Sequence, residues 1–480
     1  MLSPKLLSLL ESFSKYNLNR FRKFLLSPLY NENQSLIALF DAVDTFLRQE
    51  ELKATPKFKQ LDKKVVWKNL FGRAPYNDAH LRRLCSELLQ LAYTFLYLED
   101  CRSAEAQEKL VLLRYFKSPA MEKHFRGIFR QAKALQERDC QMGGQQYFYA
   151  YQLEQALHQQ LEEGVDSMDD FTHLEQADVQ LDRFYYAQKL KHYCDALGYE
   201  NFLSQKPEIT LPQGFIGQLE LSGLLEEPLL RAYYLVARML SHPEEERHFF
   251  NLKALFFRNH TNFAPEERQT LYIHLKNYCI HKKINAGVSA YFSELFDIFK
   301  QGMESGLLLK AEVLDPQDYK NIITVGLYVR EFDWVERFIQ QFTAQLPEAN
   351  QENALTYNLA KVYFHKEQYE KVIEQLREVE YKSLVYALGG KLMLLKTYFE
   401  LGEFLAMDSL IDSFRIYLRR KKEISREVRQ QYLNVLRFVK KLSAVDTRNK
   451  EAIAKIQKEV EACTALAAKK WILEKIGEMG

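Results

Sequence analysis

The residues with the chemistry to bind a metal ion are few and irregularly spaced. His274, Cys279 and His281 lie close together in the sequence, and His192 and Cys194 form a second pair. On a helix, His274 and His281 share a face and Cys279 lies off it. Neither group has the paired Cys-x-x-Cys or the His-Glu-x-x-His spacing that is typical of zinc sites. We therefore expect no metal site and interpret these residues as parts of helices.

The motifs of the common nucleotide-binding and hydrolytic sites are also absent from the sequence. It contains neither G-x-x-x-x-G-K nor G-x-G-x-x-G, and the two glycines of segment 213–217 are followed by no lysine. The pattern G-x-S-x-G of a nucleophilic serine is missing as well. We therefore expect a non-enzymatic protein without catalytic residues or cofactors. An enzyme with an unrecognised site in the first 140 residues is an alternative.

Carboxylates accumulate in the last third of the N-terminal half. Eight of them lie between residues 162 and 182. A run of like charges is usually a solvated face or loop, and we interpret this one in that way. A cleft for a basic ligand is the alternative. The carboxylates are those of Glu162, Glu163, Asp166, Asp169, Asp170, Glu175, Asp178 and Asp182.

Cations gather in two clusters, one near each end of the chain. Only Glu423 and Glu427 oppose the larger cluster. Cations favour the C-terminal ends of helices, so the simpler interpretation is structural. A surface for nucleic acid is the alternative, and the formal net charge of only +2 for the whole chain favours the structural interpretation. The first cluster contains Lys53, Lys57, Lys59, Lys63, Lys64, Lys68 and Arg73, and the second contains Arg415, Arg419, Arg420, Lys421, Lys422, Arg426, Arg429, Arg437, Lys440 and Lys441.

The composition is that of a folded helical protein. Of the 480 residues, 47% are hydrophobic and 13% are aromatic, which argues against disorder. The 18 glycines and 12 prolines are few for this length, which favours long helices. Six cysteines at wide, irregular spacings indicate free thiols in a reducing compartment. No apolar run is long enough to span a membrane, and the run at 6–10 is too short for a signal peptide, so we expect a soluble, cytoplasmic protein.

Apolar residues recur at helical spacing in several stretches. Residues 36–47 predict one helix and residues 81–98 a longer one, with Asp78 as its expected N-cap. Segment 206–223 holds two prolines and three glycines and is expected to be a loop. No segment shows sustained period-two alternation, so we expect no sheet. Three prolines are expected at the first position of a helix, Pro243, Pro265 and Pro316, the last of them after an N-cap at Asp315.

One pattern recurs three times between residues 315 and 441. Phe332, Tyr369 and Phe404 each follow an acidic or amide residue, and an apolar stripe precedes each of them. Further apolar residues lie three, seven and ten positions after each aromatic, which places them on one face of a helix. Each unit is therefore predicted to be two helices joined by a short turn. The following residues are Val335, Ile339 and Phe342, then Val372, Leu376 and Val379, then Met407, Ile411 and Phe414; the preceding stripes are Ile322–Ile323, Leu359–Ala360 and Leu394–Leu395.

This pattern resembles the tetratricopeptide repeat, a two-helix unit of about 34 residues. The unit from Asn353 to Val379 matches best, although it has Glu367 where the family favours glycine. The third unit keeps that glycine as Gly402. The resemblance implies an all-α solenoid of helical hairpins, because a single pair cannot bury both of its faces. It also implies a concave groove, lined by the first helix of each pair, in which a segment of another protein binds.

The residues expected to face this groove mix cationic, amide and aromatic side chains. Such a mixture suits a peptide backbone with some acidic side chains. Lys320 and Asn358 match two positions of the family's carboxylate clamp, and the other three positions depart from it, so we do not expect a full clamp. The competing expectation is that a helix from Glu451 to Trp471 fills or caps the groove. The expected groove residues are Lys320, Thr324, Tyr328, Tyr357, Asn358, Lys361, His365 and Lys396.

These observations predict four regions. They are an N-terminal helical domain (1–140), an irregular helical-hairpin region (141–310), the repeats (311–445) and a C-terminal capping helix (446–480). The predicted function is that of a scaffold or adaptor that binds a protein segment in the groove. A regulator associated with nucleic acid through the basic clusters is the alternative.

Overall fold

Helices form almost all of the regular structure of this protein. The computed structural model describes residues 2–51, 62–138, 141–162, 171–199, 207–310, 312–351, 353–377 and 384–479. Within these ranges the architecture is all-helical apart from one two-stranded ribbon, which confirms the prediction of an all-α protein. Predictions about Lys53, Lys57, Lys59, Glu163, Asp166, Asp169, Asp170 and Val379 fall outside the described residues.

The chain divides into two compact units, Met1–Tyr186 and Ala187–Gly480. The division falls inside helix α9, which runs from Thr172 to Tyr199. The other helices of the first unit are α1 (Pro4–Glu11), α2 (Lys15–Leu25), α3 (Gln34–Glu51), α4 (Lys63–Phe71), α5 (Asp78–Ser103), α6 (Glu105–Tyr115), α7 (Glu122–Arg138) and α8 (Gly144–Glu162).

Aromatic side chains fill the core of the first unit. The ring of Phe21 in α2 contacts Phe40 of α3 at 5.2 Å and Phe95 of α5 at 5.3 Å between centroids. The predicted stripes at 36–47 and 81–98 therefore bury their apolar faces in one core. Burial of these rings, together with the leucines, isoleucine and valines of the same core, stabilises this unit.

The second unit continues with α10 and ends with α24. Helix α10 (Phe215–Leu221) lies within segment 206–223, so the prediction of a loop is wrong for these residues; Gly214 and Gly223, with φ of 76° and 75°, flank the helix. In the described part of its chain, a short ribbon of β1 (Leu309–Lys310) and β2 (Val313–Leu314) precedes the predicted repeats. Two residues per strand are too few to produce a detectable alternation, so the sequence could not predict the ribbon. The helices are α10 (Phe215–Leu221), α11 (Pro228–Ser241), α12 (Arg247–Asn259), α13 (Pro265–Asn277), α14 (Tyr291–Glu304), α15 (Pro316–Tyr328), α16 (Phe332–Phe342), α17 (Glu348–Gln351), α18 (Ala354–His365), α19 (Tyr369–Leu376), α20 (Leu384–Glu400), α21 (Phe404–Arg420), α22 (Arg426–Ala444), α23 (Lys450–Ala462) and α24 (Lys469–Met479).

Helix α11 lies at the centre of the first half of the second unit, and nine of its residues are buried. Its Tyr233 donates a hydrogen bond to Glu267 of α13, a carboxylate that also pairs with Lys191 of α9 at 3.0 Å. All three side chains are largely shielded from water. A buried carboxylate is tolerated only when it is paired and hydrogen-bonded, so this network ties three helices together.

The three predicted helix pairs are α15–α16, α18–α19 and α20–α21, and each is joined by the same turn. Arg330, Glu367 and Gly402 occupy equivalent positions with φ of 63°, 59° and 70°. In each pair the next residue donates its N–H to the carbonyl five residues back, at 2.9 Å. This is the Schellman arrangement, in which a left-handed residue ends a helix. Glycine adopts this conformation without strain, whereas Arg330 and Glu367 adopt it against the preference of their side chains.

The apolar positions of the three units are buried as their spacing predicts. Among the described members, those three, seven and ten residues after the aromatic residue are at most 7% exposed. The stripes before the aromatic residue are also buried. Helix α18 packs against α16, α19 and α20, so each pair continues the core of the one before it.

Two of the predicted helix starts are correct and two are wrong. Asp315 caps α15 by accepting hydrogen bonds from the N–H groups of Gln317 and Asp318, and Pro265 and Pro316 begin their helices. Pro243 does not begin a helix, because α12 starts only at Arg247. The N-cap of α5 is Asn77, whose side chain accepts from the N–H of His80, and Asp78 is the first helical residue.

The C-terminal segment is two helices where one was predicted between Glu451 and Trp471. Helix α23 ends at Ala462 and α24 begins at Lys469. The first break comes at Cys463, whose backbone is extended with a ψ of 109°, and Ala468, just before α24, has a left-handed φ of 53°. The break lets α24 pack against both α22 and α23.

Candidate functional site

A groove of about 1290 Å³ lies in the second unit. Its walls come from the first helices of the predicted pairs, α15, α18 and α20, and from the C-terminal helix α24. Tyr328, Tyr357, Lys361, His365 and Lys396 line it, which brings together five of the eight residues expected there.

The other three expected residues do not line the groove. Lys320 and Thr324 are exposed on α15 outside its lining. Asn358 is buried, and its amide donates to the carbonyl of Ala354 at 2.8 Å. Asn358 therefore packs within the helix layer, since its position on α18 faces inward beside Leu359 and Ala360.

Two lysines of the groove have no ion-pair partner among the described residues. Lys361 and Lys396 are half-buried, and neither forms an ion pair or hydrogen bond with a residue that the structure describes. Burial lowers the pKa of Lys361, and burial also lowers the pKa of Lys396 despite the opposing charges of Glu474 and Glu400. The pKa of His365 is lowered by burial and by the charges of both lysines, which places the three side chains in one electrostatic neighbourhood.

Lys366 lies in the same groove and shows the contrasting arrangement. Its ammonium pairs with Asp333 at 2.7 Å and Glu336 at 2.6 Å. Burial opposes the charge of Lys366, but the two hydrogen-bonded carboxylates outweigh it and raise its pKa. The carboxylates of α16 therefore neutralise Lys366 and leave Lys361 without an anionic partner.

Helix α24 supplies an aromatic wall. The ammonium of Lys396 lies 5.2 Å from the ring centroid of Trp471 and 5.9 Å from that of Phe364, both within cation–π range. The indole N–H of Trp471 donates to Glu400 at 2.9 Å, and Lys475 pairs with the same carboxylate at 2.8 Å. Glu400 thus anchors α24 to α20. The C-terminal helix forms one side of the groove, and Trp471, the last residue of the predicted capping segment, is part of the lining; binding of an external segment in the groove stays a prediction.

Tyr357 forms part of the floor. A Cβ atom on Gly389 of α20 would lie 2.6 Å from the hydroxyl oxygen of Tyr357, so only glycine admits this ring. The ring also contacts Tyr386 at 5.1 Å between centroids, and burial raises the pKa of Tyr357. The absence of a side chain at Gly389 is therefore used for close packing.

Sequence reasoning missed the contribution of α24. Trp471, Lys470 and Glu474 line the groove, yet Trp471 was expected only as the end of a possible capping helix. One signal was available, since Trp471 is one of only three tryptophans in the chain. Its partner Glu400 lies far away in the sequence, so spacing could not connect the two.

The C-terminal basic cluster separates into structural and exposed cations. Arg429 donates to the carbonyls of Leu418, Lys421 and Ile424 at 2.9 to 3.2 Å, and it thereby caps the end of α21. Arg415 pairs with Asp412 at 3.3 Å. Five cations are exposed and have no ion pair within the described ranges, namely Arg419, Arg420, Lys421, Lys422 and Arg426.

Other kinds of site find no support in the described part of the chain. No group of three or more His, Cys, Asp or Glu side chains is placed there to hold a metal ion. His274 lies 3.6 Å from Asp195, and Cys279 is buried. None of the described helices is both long and apolar enough to cross a bilayer.

Comparisons with known proteins identify no relative. No protein-family model, curated protein or solved structure gives a significant match to this chain.

Proposed function

We propose that this protein is a non-enzymatic scaffold or adaptor whose groove in the second unit binds a segment of another protein. The observation that carries the proposal is the groove itself, which combines aromatic and cationic side chains along three successive first helices. Its volume suits several residues of a peptide, and its polar lining suits hydrogen bonding to a peptide backbone. The three equivalent turns and the continuous core support a solenoid of tetratricopeptide-like hairpins as its framework.

Photo-cross-linking from inside the groove tests the proposal. Tyr328 is exposed at the groove wall, and its ring stacks on Phe292 at 3.8 Å between centroids; p-benzoylphenylalanine keeps the phenyl ring that makes this contact. In cells that express the full chain, we expect a defined cross-linked segment of one partner, identified by mass spectrometry. The matched control carries the same analogue at Phe404, which is exposed on α21 and does not line the groove. The absence of a cross-linked product from position 328, or identical products from both positions, contradicts the proposal.

A second candidate function rests on the five exposed cations between Arg419 and Arg426. Phosphates would neutralise them, and binding would then weaken steeply with salt. Charge reversal at Arg419, Arg420, Lys421 and Lys422 is expected to abolish such binding and leave folding intact. Fluorescence anisotropy with a random-sequence oligonucleotide at low and high salt measures it. Absence of binding at low salt eliminates this candidate.

A further inference from the structure

The strongest unexplained feature of the groove is its pair of lysines without an anionic partner. A half-buried ammonium is unfavourable unless an opposite charge or hydrogen-bond acceptors reach it. Lys366 shows that this region can supply carboxylates, because Asp333 and Glu336 both point to it. Lys361 and Lys396 receive none of them. The groove therefore holds two ammonium groups that form an ion pair with none of the described carboxylates.

We propose that Lys361, Lys396 and His365 form an anion subsite that takes a carboxylate or phosphate group carried by the bound segment. The assignment rests on the proposed function, because the anion is placed on a protein segment. It goes further by naming the chemistry of that segment. The subsite is a composite of α18, α20 and α24, since Trp471 forms its wall, and it therefore differs from a clamp built from repeat residues alone.

The nearby carboxylates form hydrogen bonds or ion pairs with residues other than Lys361 and Lys396. Glu400 accepts the indole N–H of Trp471 and pairs with Lys475. Glu478 also pairs with Lys475, at 2.7 Å. Glu474 is exposed at the rim and forms a long contact of 3.8 Å with Lys470. None of these groups forms an ion pair with Lys361 or Lys396, so an incoming anion meets no bound competitor among the described residues.

The aromatic rings orient Lys396 without neutralising it. Phe364 and Trp471 shield parts of its ammonium from water. A cation–π contact provides weaker stabilisation than an ion pair, and it leaves the remaining N–H groups available as donors. Charge-assisted hydrogen bonds to a carboxylate or phosphate are about twice as strong as neutral ones, so the subsite would contribute substantially to affinity.

Sulfate is the simplest probe of the subsite, because it stays doubly charged across the useful pH range. The full chain, labelled with ¹³C at the lysine ε-carbons, is titrated with sodium sulfate at constant ionic strength and followed by NMR. We expect saturable shifts at Lys361 and Lys396 and none at Lys320. Lys361→Met is expected to weaken sulfate binding about tenfold, the loss of one charge-assisted hydrogen bond. Lys320→Met, with the same charge change outside the groove, is expected to leave it unchanged. Uniform, non-saturating shifts at all lysines overturn the proposal.

Peptides distinguish the two sources of the anion. Fluorescent Gly-Ser peptides carry two adjacent glutamates, one phosphoserine, or two glutamines as the neutral reference. We expect one anionic peptide to bind at least about tenfold more tightly than the reference, and the stronger of the two identifies the source. Sulfate binding without binding of either anionic peptide overturns the assignment to a protein segment.

The cross-link at Tyr328 separates this inference from the proposed function. In the double variant Lys361→Met/Lys396→Met, we expect the cross-linked segment to be lost while the circular dichroism spectrum is unchanged. A retained cross-link overturns the anion subsite and leaves the proposed function intact. A wild-type protein that binds sulfate but yields no cross-link at Tyr328 contradicts the proposed function instead.

Discussion

The ammonium group of Lys361 is available to bind an anion, and for the same reason it is expected to destabilise the folded protein. This group is half-buried without a described anionic partner, and burial lowers its pKa. Methionine has a similar volume and no charge, so we expect Lys361→Met to raise the free energy of unfolding by about 1 kcal/mol at neutral pH. Urea denaturation of the two proteins measures the change. A variant that is less stable than wild type would assign Lys361 a structural role.

Lys366→Met is the control substitution, because we expect it to change the free energy of unfolding in the opposite direction. The ammonium side chain of Lys366 is only 16% exposed and pairs with Asp333 and Glu336. Lys366→Met removes both pairs and leaves Glu336 without its cation, so we expect a loss of about 1 kcal/mol. The same denaturation experiment measures it. Equal effects of the two substitutions would mean that carboxylate partners do not determine how each lysine contributes to the stability of the protein.

The stabilisation by Lys361→Met also depends on pH with a defined sign. Because the pKa of Lys361 in the folded protein lies below its ordinary value of 10.5, the unfolded chain binds more protons in the interval between the two values. In that interval this group raises wild-type stability as the pH rises. The advantage of methionine is therefore full below the interval and declines as the pH approaches 10.5. Denaturation curves at neutral and alkaline pH test this; a constant difference contradicts it.

At the residue scale, the sequence predicted which side chains line the groove better than it predicted which side chains form ion pairs with each other. Tyr328, Lys361 and Lys396 line the groove as expected, because their positions follow from the helical period of each unit. The sequence did not indicate that Lys366 would receive two carboxylates and Lys361 none. That outcome depends on the packing of α16 against α18, which one-dimensional spacing does not specify.

At the element scale, the three equivalent turns differ in the strain that they impose. Gly402 has a φ of 70°, and no atom lies within 4 Å of an added Cβ. A substitution there therefore changes stability through backbone strain and causes no steric clash at Cβ. Gly402→Val places a β-branched residue in the left-handed region, and we expect a loss of about 1–3 kcal/mol. The melting temperature measures it. An unchanged value contradicts the equivalence of the three turns.

Glu367 offers the reverse substitution at the equivalent position. It is exposed and has a φ of 59°, which costs a non-glycine residue about 1–2 kcal/mol. Glycine removes this strain but gains freedom in the unfolded chain, so we expect Glu367→Gly to stabilise the protein by about 0.5 kcal/mol. Chemical denaturation resolves this change. A destabilised variant would show that the Glu367 side chain contributes contacts beyond its turn.

The sequence predicted helix interiors more accurately than helix ends. Periodicity located the stripes at 36–47 and 81–98 because burial of one helix face requires it. Ends depend on single hydrogen bonds, so Asn77 could replace the neighbouring Asp78 as the cap. The break between α23 and α24 begins at the extended Cys463 and ends at the left-handed Ala468, and neither residue type has a turn preference that would indicate it.

At the scale of the whole molecule, composition and hydrophobic periodicity were enough to predict an all-helical protein. They did not predict where the chain divides into two units. The division between Tyr186 and Ala187 falls within α9, where the chain stays helical. Boundary signals such as glycine and proline mark the ends of helices, and a division inside a helix carries none. The four predicted regions, with boundaries near 140, 310 and 445, stay predictions.

The C-terminal half of α9 belongs to the second unit, and its removal is expected to weaken that unit. Leu190 and Cys194 are fully buried there, and Lys191 pairs with the buried carboxylate of Glu267. We expect a fragment of residues 172–480 to unfold cooperatively and to melt well above a fragment of residues 207–480. The shorter fragment loses apolar burial and the ion pair between Lys191 and Glu267, a combined cost of at least about 3 kcal/mol.

Differential scanning calorimetry of the two fragments measures this difference, with far-ultraviolet circular dichroism as the check that both are helical. The variant Lys191→Met in the full chain isolates the ionic part, since it keeps the apolar contacts of α9 and removes only the ammonium. We expect its melting temperature to lie below that of the wild-type full chain, by less than the difference between the two fragments. Equal melting temperatures for the two fragments would show that α9 contributes nothing to the second unit, and the network of Lys191, Tyr233 and Glu267 would then not join its helices.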